Sequence, residues 1–110
     1  MSDAKIRAII KRPDEPYGHV TNISCSLKNL QKTVEGPIET LPLPDGNVMI
    51  VNEEGKIRNL QRNFIMGKVP FHDIIVGTIA IVGSKGDRFT DCTLEFKTWK
   101  WLLELWGNTR

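Results

Sequence analysis

The densest polar stretch of the chain is Asn52, Glu53, Glu54, Lys56, Asn59, Arg62 and Asn63, which follows an apolar run and surrounds Gly55. Adjacent carboxylates beside amide side chains can hold a cation or orient a small ligand such as a nucleotide, and connections of this kind commonly carry binding residues. The plainer reading is a solvated Glu-Glu-Gly turn, with Asn52 or Asn63 bonding backbone groups at element ends. It is preferred because carboxylates that share acid–base work need separate positions and contrasting environments. Lys56, Arg58, Arg62 and Lys68 fall in the same connection and could meet phosphates or an acidic partner. Glu53 and Glu54 dilute that charge, and Phe64 is the one aromatic there for a base to stack on, so nucleic acid is a minor expectation.

Other chemistry is sparse. His19 and His72 stand alone, without HxxxH or His-Cys spacing, and read as surface or turn residues. Cys25 and Cys92 lie far apart and form no CxxC pair, so they read as buried thiols rather than a zinc or redox motif. No nucleophile elbow, phosphate-binding glycine loop or dinucleotide fingerprint occurs, and the run from Gly83 to Asp87 reads as a turn. No catalytic residue, metal-ligand set or cofactor is assigned, and the chain is expected not to be an enzyme.

The C-terminal stretch is harder to read as filler. Trp99, Trp101 and Trp106 lie on one expected helix with Leu105, and its apolar arc is wider than contact with one small sheet requires. Tryptophan is enriched at interface hot spots, so this face is a candidate partner interface. The competing reading is that a short chain fills its core with large side chains from a terminal helix.

These residues need a scaffold, and composition limits what it can be. The chain has 110 residues, 40% hydrophobic and 25% charged, with net charge +2. That suits one globular domain spanning 1–110, with a sheet and first helix over 1–83 and a loop and final helix over 84–110. No apolar run is long enough to span a membrane, and Met1 to Lys5 leads into a strand-like pattern without a signal peptide, so a soluble cytoplasmic protein is expected.

Alternation predicts a strand over Lys5 to Lys11 and a weaker one over Tyr17 to Ile23, paired as a hairpin. Ser24 or Ser26 caps a helix carrying Leu27, Leu30 and Val34, which Gly36-Pro37 ends. Ile38 to Leu43 and Asn47 to Asn52 form a second hairpin about Pro44-Asp45-Gly46. Lys56 to Gly67 is a short helix or an ordered loop. Ile74 to Val82 reads as one central strand buried on both faces, which requires a second helix on the face that the first leaves open. Thr90 or Asp91 caps that helix, running to about Trp106; alternatively, Cys92, Leu94 and Phe96 form a last short strand before a shorter helix. The fold class is α+β, with a single mixed or antiparallel sheet of about five strands. Its element order resembles a β-grasp domain, a likeness of order that carries no function.

The local sequence carries a second resemblance. The run Ile38 to Gly46, then Val51-Asn52-Glu53-Glu54-Gly55-Lys56 with Asn63, then Asp73 to Thr78, is similar to an uncharacterised small-protein family of bacteriophages and bacterial mobile elements, the domain of unknown function 3846 type. The likeness covers Ala4 to Gly83 and leaves the Trp-rich tail outside. It implies a bacterial cytosolic setting. In that setting the leading expectation is a non-catalytic protein that docks on a host protein, for example to block a defence system, or pairs with itself through Trp99, Trp101, Leu105 and Trp106. The alternative is small-ligand binding by the Asn52 to Asn63 cluster.

Overall fold

The computed structural model describes residues 4–68 and 70–108. Eight strands and two helices follow in the order β1 (Lys5–Lys11), β2 (His19–Ser24), α1 (Leu27–Val34), β3 (Ile38–Pro42), β4 (Asn47–Asn52), β5 (Arg62–Met66), β6 (Asp73–Val76), β7 (Ile79–Lys85), β8 (Arg88–Thr90) and α2 (Phe96–Leu105). The large sheet runs β2-β1-β7-β4-β3, with β8 paired to β7, and β5-β6 form a separate two-stranded sheet. Every pairing is antiparallel, so of the two sheet types expected the antiparallel one is realised.

Alternation builds the two faces. Ile6, Ala8 and Ile10 of β1 point to one side, where they meet Ile50, Ala80, Val82 and Val34 of α1. Ile9 points to the other, joining Met49, Ile79, Ile81, Trp99 and Leu103 of α2, and Phe64 and Ile75 of the small sheet. Strand β7 contributes to both faces, with Ile79, Ala80, Ile81 and Val82 fully buried. The expected second helix therefore does lie on the face that α1 leaves open, and it shares that face with the β5-β6 hairpin.

Both expected hairpins form. Ser26 caps α1 by accepting the Asn29 N–H at 3.2 Å. The helix ends one residue before the expected glycine, at Glu35 in the left-handed region (φ 67°). Leu30 and Val34 are buried as expected, whereas Leu27 is exposed.

Three expectations need correction. The apolar run from Ile74 to Val82 is two strands, because Gly77 takes φ 74° and donates its N–H to the Gln61 carbonyl at 2.8 Å. A side chain there would also meet Leu60 Cδ1 at 2.9 Å. The stretch from Lys56 to Gly67 is neither a helix nor wholly a loop: turns to Asn59 lead into β5. Finally, α2 starts at Phe96 rather than at Thr90 or Asp91. Thr90 closes β8, and the Asp91 carboxylate accepts the Arg7 N–H at 2.8 Å instead of capping a helix. Residues 91–94 are held along β1, with Cys92 N–H bonded to the Arg7 carbonyl at 2.8 Å and the Arg7 guanidinium reaching the Cys92 and Leu94 carbonyls. This is close to the alternative of a shorter helix, although the regular strand is β8, upstream of Cys92.

Gly83 marks where β7 accepts β8 and the segment after it. A Cβ there would lie 2.3 Å from the Asp91 carbonyl oxygen and 2.5 Å from Thr90 Oγ1, so backbone would have to move. Gly83→Ala is expected to lower stability by about 2 kcal/mol or more. Gly86→Ala, in open space but at φ 63°, is expected to cost about 1 kcal/mol. Urea unfolding of the two variants checks the ranking.

Candidate functional site

The polar cluster that stands out in the sequence does not converge in space. Asn52, buried at the end of β4, donates from Nδ2 to the Val34 carbonyl at 3.0 Å and accepts the Glu54 N–H at 2.7 Å. It thereby joins the end of α1 to the turn that follows β4. Asn63 sits where the β5-β6 register shifts, and its amide donates to the Lys11 and Gly77 carbonyls at 2.9 and 2.7 Å. Its oxygen accepts from the buried Lys11 ammonium. Both asparagines use their side chains to satisfy backbone groups at element ends, which supports the plainer reading of these two positions.

The remaining members face solvent. Glu53, Glu54, Asn59 and Arg62 are exposed, and Arg58 donates to the Glu35 carbonyl at 2.7 Å. Lys56 pairs with Asp73, with both side chains more than half exposed, a geometry worth about 0–1 kcal/mol. Asn52, Glu53 and Lys56 do line a cleft of about 270 Å³ with Glu39, Asp73 and Ile57, between the β3-β4 hairpin and β6. Its charged lining is three carboxylates against one lysine that is already paired. Among the described residues no group of three His, Cys, Asp or Glu side chains is placed to hold a metal.

Helix α2 divides the tryptophans. Trp99 and Leu103 are fully buried, and the Trp99 indole donates to the Tyr17 carbonyl at 2.8 Å, so its one polar atom is satisfied. Phe64 lies edge-on to Trp99 at 5.5 Å and stacked on Trp106 at 6.4 Å, fixing the small sheet to the helix. Trp106 and Leu102 are half-buried at the margin of this cluster. Trp101 and Leu105 are 57% and 41% exposed, and their i, i+4 spacing makes them neighbours on the outer face. Lys97 and Glu104 flank them, both exposed. The Glu104 carboxylate accepts the Tyr17 hydroxyl at 2.9 Å, and the Lys100 ammonium lies over the Tyr17 ring at 4.9 Å, so charges around the apolar patch are anchored.

Sequence reasoning missed three side chains that hold this arrangement. Asn47 is buried, donates to the Pro44 carbonyl and to Thr93 Oγ1, and accepts the Thr93 N–H, which staples the second hairpin to the segment before α2. Asn108 exchanges two hydrogen bonds with the Ile65 backbone at 2.8 and 2.7 Å, completing the β5 edge as a strand would. Lys11, the last residue of β1, is buried and donates its ammonium to the Asn63 side chain. No local pattern marks these roles, because Thr93, Ile65 and Asn63, the partners that define them, each lie more than 40 residues away. Of the thiols, Cys92 is buried as expected and Cys25 half-buried. Burial pushes the Cys92 thiol up from the usual range, and its contact with the Leu94 carbonyl and the nearby Arg7 guanidinium only partly offset this.

An antiparallel sheet between a short helix and a helix-plus-hairpin layer, with Trp101 and Leu105 exposed on the outer helix face, defines a small α+β protein. Residues 6–104 match the family described as domain of unknown function (DUF3846), and the chain belongs to that family. The match runs into α2 as far as Glu104, so the tail from Asp91 to Glu104 lies within the family domain, correcting the expectation that all of it falls outside. No curated protein and no solved structure matches the chain.

Asn52→Ala and Asn63→Ala are expected to lose about 1–3 kcal/mol each, since buried backbone groups lose their partners. Glu53→Ala and Glu54→Ala should stay within about 0.5 kcal/mol. Thermal unfolding of the four variants checks this. A thiol reagent at neutral pH should modify Cys92 only on the timescale of unfolding. Because its thiol is raised in the folded state, Cys92 stabilises the fold below the unfolded thiol range, and that contribution is lost as pH rises through the folded value.

Proposed function

We propose that this is a non-catalytic protein-binding domain that docks through the outer face of α2. The observation that carries the reading is the exposure of Trp101 and Leu105 on a helix whose other face is anchored in the core by Trp99 and Leu103. A large aromatic held rigid by its own helix is the kind of side chain that supplies binding energy at little entropic cost.

The rim favours a second copy as the occupant. Lys97 and Glu104 are seven residues apart on the exposed face. If two α2 helices lie antiparallel about a two-fold axis near Lys100 and Trp101, Lys97 of each meets Glu104 of the other while the two Trp101 side chains cover one another at the axis. The finer reading takes its setting from the resemblance to proteins of bacteriophages and mobile elements. There the same face, in the bacterial cytoplasm, would dock on a host protein and block a defence system. Ligand binding by the Asn52–Asn63 stretch is the lesser reading, since two of its members are engaged in backbone contacts and its cleft is mainly acidic.

Light scattering after size exclusion across a range of concentrations tests the proposal. The full chain is expected to dimerise, and Trp101→Glu or Leu105→Glu to give a folded monomer with unfolding midpoint little changed. A wild-type chain that stays monomeric throughout would remove the self-pairing reading. A Trp101→Glu variant that unfolds would show this side chain to be needed for the core instead.

A further inference from the structure

Helix α1 is only eight residues long, about 12 Å, and leaves His19, Thr21 and Ile23 of β2 half-buried on the face it covers. Val34 packs over Ile50, Ala80 and Val82 of β4 and β7. Between α1 and β2 on this face runs a groove of about 480 Å³, within the usual range for small-ligand sites. This groove lies across the sheet from α2 and is separate from the docking face described above.

The lining of this groove is chemically selective. Its floor is apolar, from Ile10 and Ile23, and its walls carry neutral hydrogen-bonding groups, Thr21 on β2 with Asn29 and Thr33 on α1. Three basic side chains from three different segments reach it: Arg12 after β1, His19 at the start of β2, and Lys32 on α1. One carboxylate, Glu35, lines it as well. Lys32 makes no ion pair among the described residues. Arg12 and His19 are set by Glu15, which accepts the Arg12 N–H and the His19 Nδ1 contact, each at 2.8 Å, and lies 3.8 Å from the Arg12 guanidinium. That leaves Nε2 as the ring nitrogen available to a ligand. Burial alone would raise the Glu15 carboxyl, but the Arg12 N–H, the His19 contact and the two basic charges outweigh it and hold it below the usual range. Glu15 is thus a fixed anion that orients two basic groups.

We propose that this groove binds a small phosphomonoester with a flat body, of the mononucleotide class. The phosphate meets Lys32, Arg12 and His19, the ring lies on Ile10 and Ile23, and the Thr21 hydroxyl bonds its polar edges together with the Asn29 and Thr33 side-chain oxygens, which accept because the Asn29 amide and Thr33 hydroxyl are already donated to the Ser24 and Asn29 carbonyls. Three basic side chains against one lining carboxylate, above a partly apolar floor, suit a ligand with one compact negative charge. A polyanion would need a longer basic track.

Amide-resolved NMR titrations of the full chain with adenosine monophosphate, inorganic phosphate and adenosine test this. Adenosine monophosphate is expected to shift the amides of Thr21, Asn29, Thr33 and Thr78 saturably in the millimolar range or below, with phosphate weaker at the same positions and adenosine weaker still. Lys32→Glu and Arg12→Glu, at exposed positions, should each weaken adenosine monophosphate about tenfold or more while the rest of the spectrum stays folded. Lys28→Glu, on the same helix but outside the groove, should leave affinity unchanged. The proposal is overturned if none of the three compounds shifts the groove, or if adenosine binds as well as its phosphate. Equal loss in Lys28→Glu would also overturn it, since that marks diffuse charge rather than a site.

Discussion

Burial of Ile79, Ala80, Ile81 and Val82 on both sides of the sheet is the constraint from which the rest of the architecture follows. A strand without a solvent face needs apolar cover above and below, and in a short chain that cover has to come from few elements. One layer is α1. The other is assembled from α2 and the β5-β6 hairpin, joined through Phe64, Trp99 and Trp106. Gly77 lets one apolar run serve twice, first as β6 in the covering hairpin and then as β7 in the sheet it covers.

Irregular segments are joined to this core by side-chain amides. Asn47, Asn52, Asn63 and Asn108 each bond backbone groups of turns, element ends or a sheet edge. Among the described residues every buried side-chain nitrogen or oxygen has a partner. Leaving such a group unpaired costs more than a hydrogen bond ordinarily contributes, so the four asparagines fix the paths of the turns as well as their stability. Two of them belong to the polar stretch that looked most like a ligand site. Their engagement moves attention to surfaces that the core leaves uncovered: the outer stripe of α2 and the groove between α1 and β2.

Much of the sheet was legible because its signals are local. Alternation in Lys5 to Lys11 and the Asp45-Gly46 turn each report on a few neighbouring residues. The need for a second covering helix followed from the composition of one strand. The strand break at Gly77 was not legible, because the apolar residues on either side look alike and only the tertiary position of Leu60 and Gln61 makes a turn there. Strand β5 was hidden for a related reason. The register shifts between Arg62 and Phe64, which breaks the period of two and lets Ile57, Leu60, Phe64 and Ile65 mimic a helix. The late start of α2 depends on Arg7, more than 80 residues upstream, holding the Asp91 to Leu94 segment straight. The split between Trp99 and Trp101 could be drawn only once the helix had a neighbour. The groove beside α1 gave no signal at all, since its basic residues come from three segments brought together by the fold.

The division of α2 into a core face and a docking face is tested most directly by the three tryptophan indole N–H resonances, followed with a soluble paramagnetic agent as protein concentration is raised. The account predicts that Trp99 stays protected throughout, and that Trp101 is broadened in dilute solution and becomes protected as copies pair. Trp101 remaining equally accessible at every concentration would contradict self-pairing through this face. Broadening of Trp99 to the same degree as Trp101 would contradict the division of the helix itself.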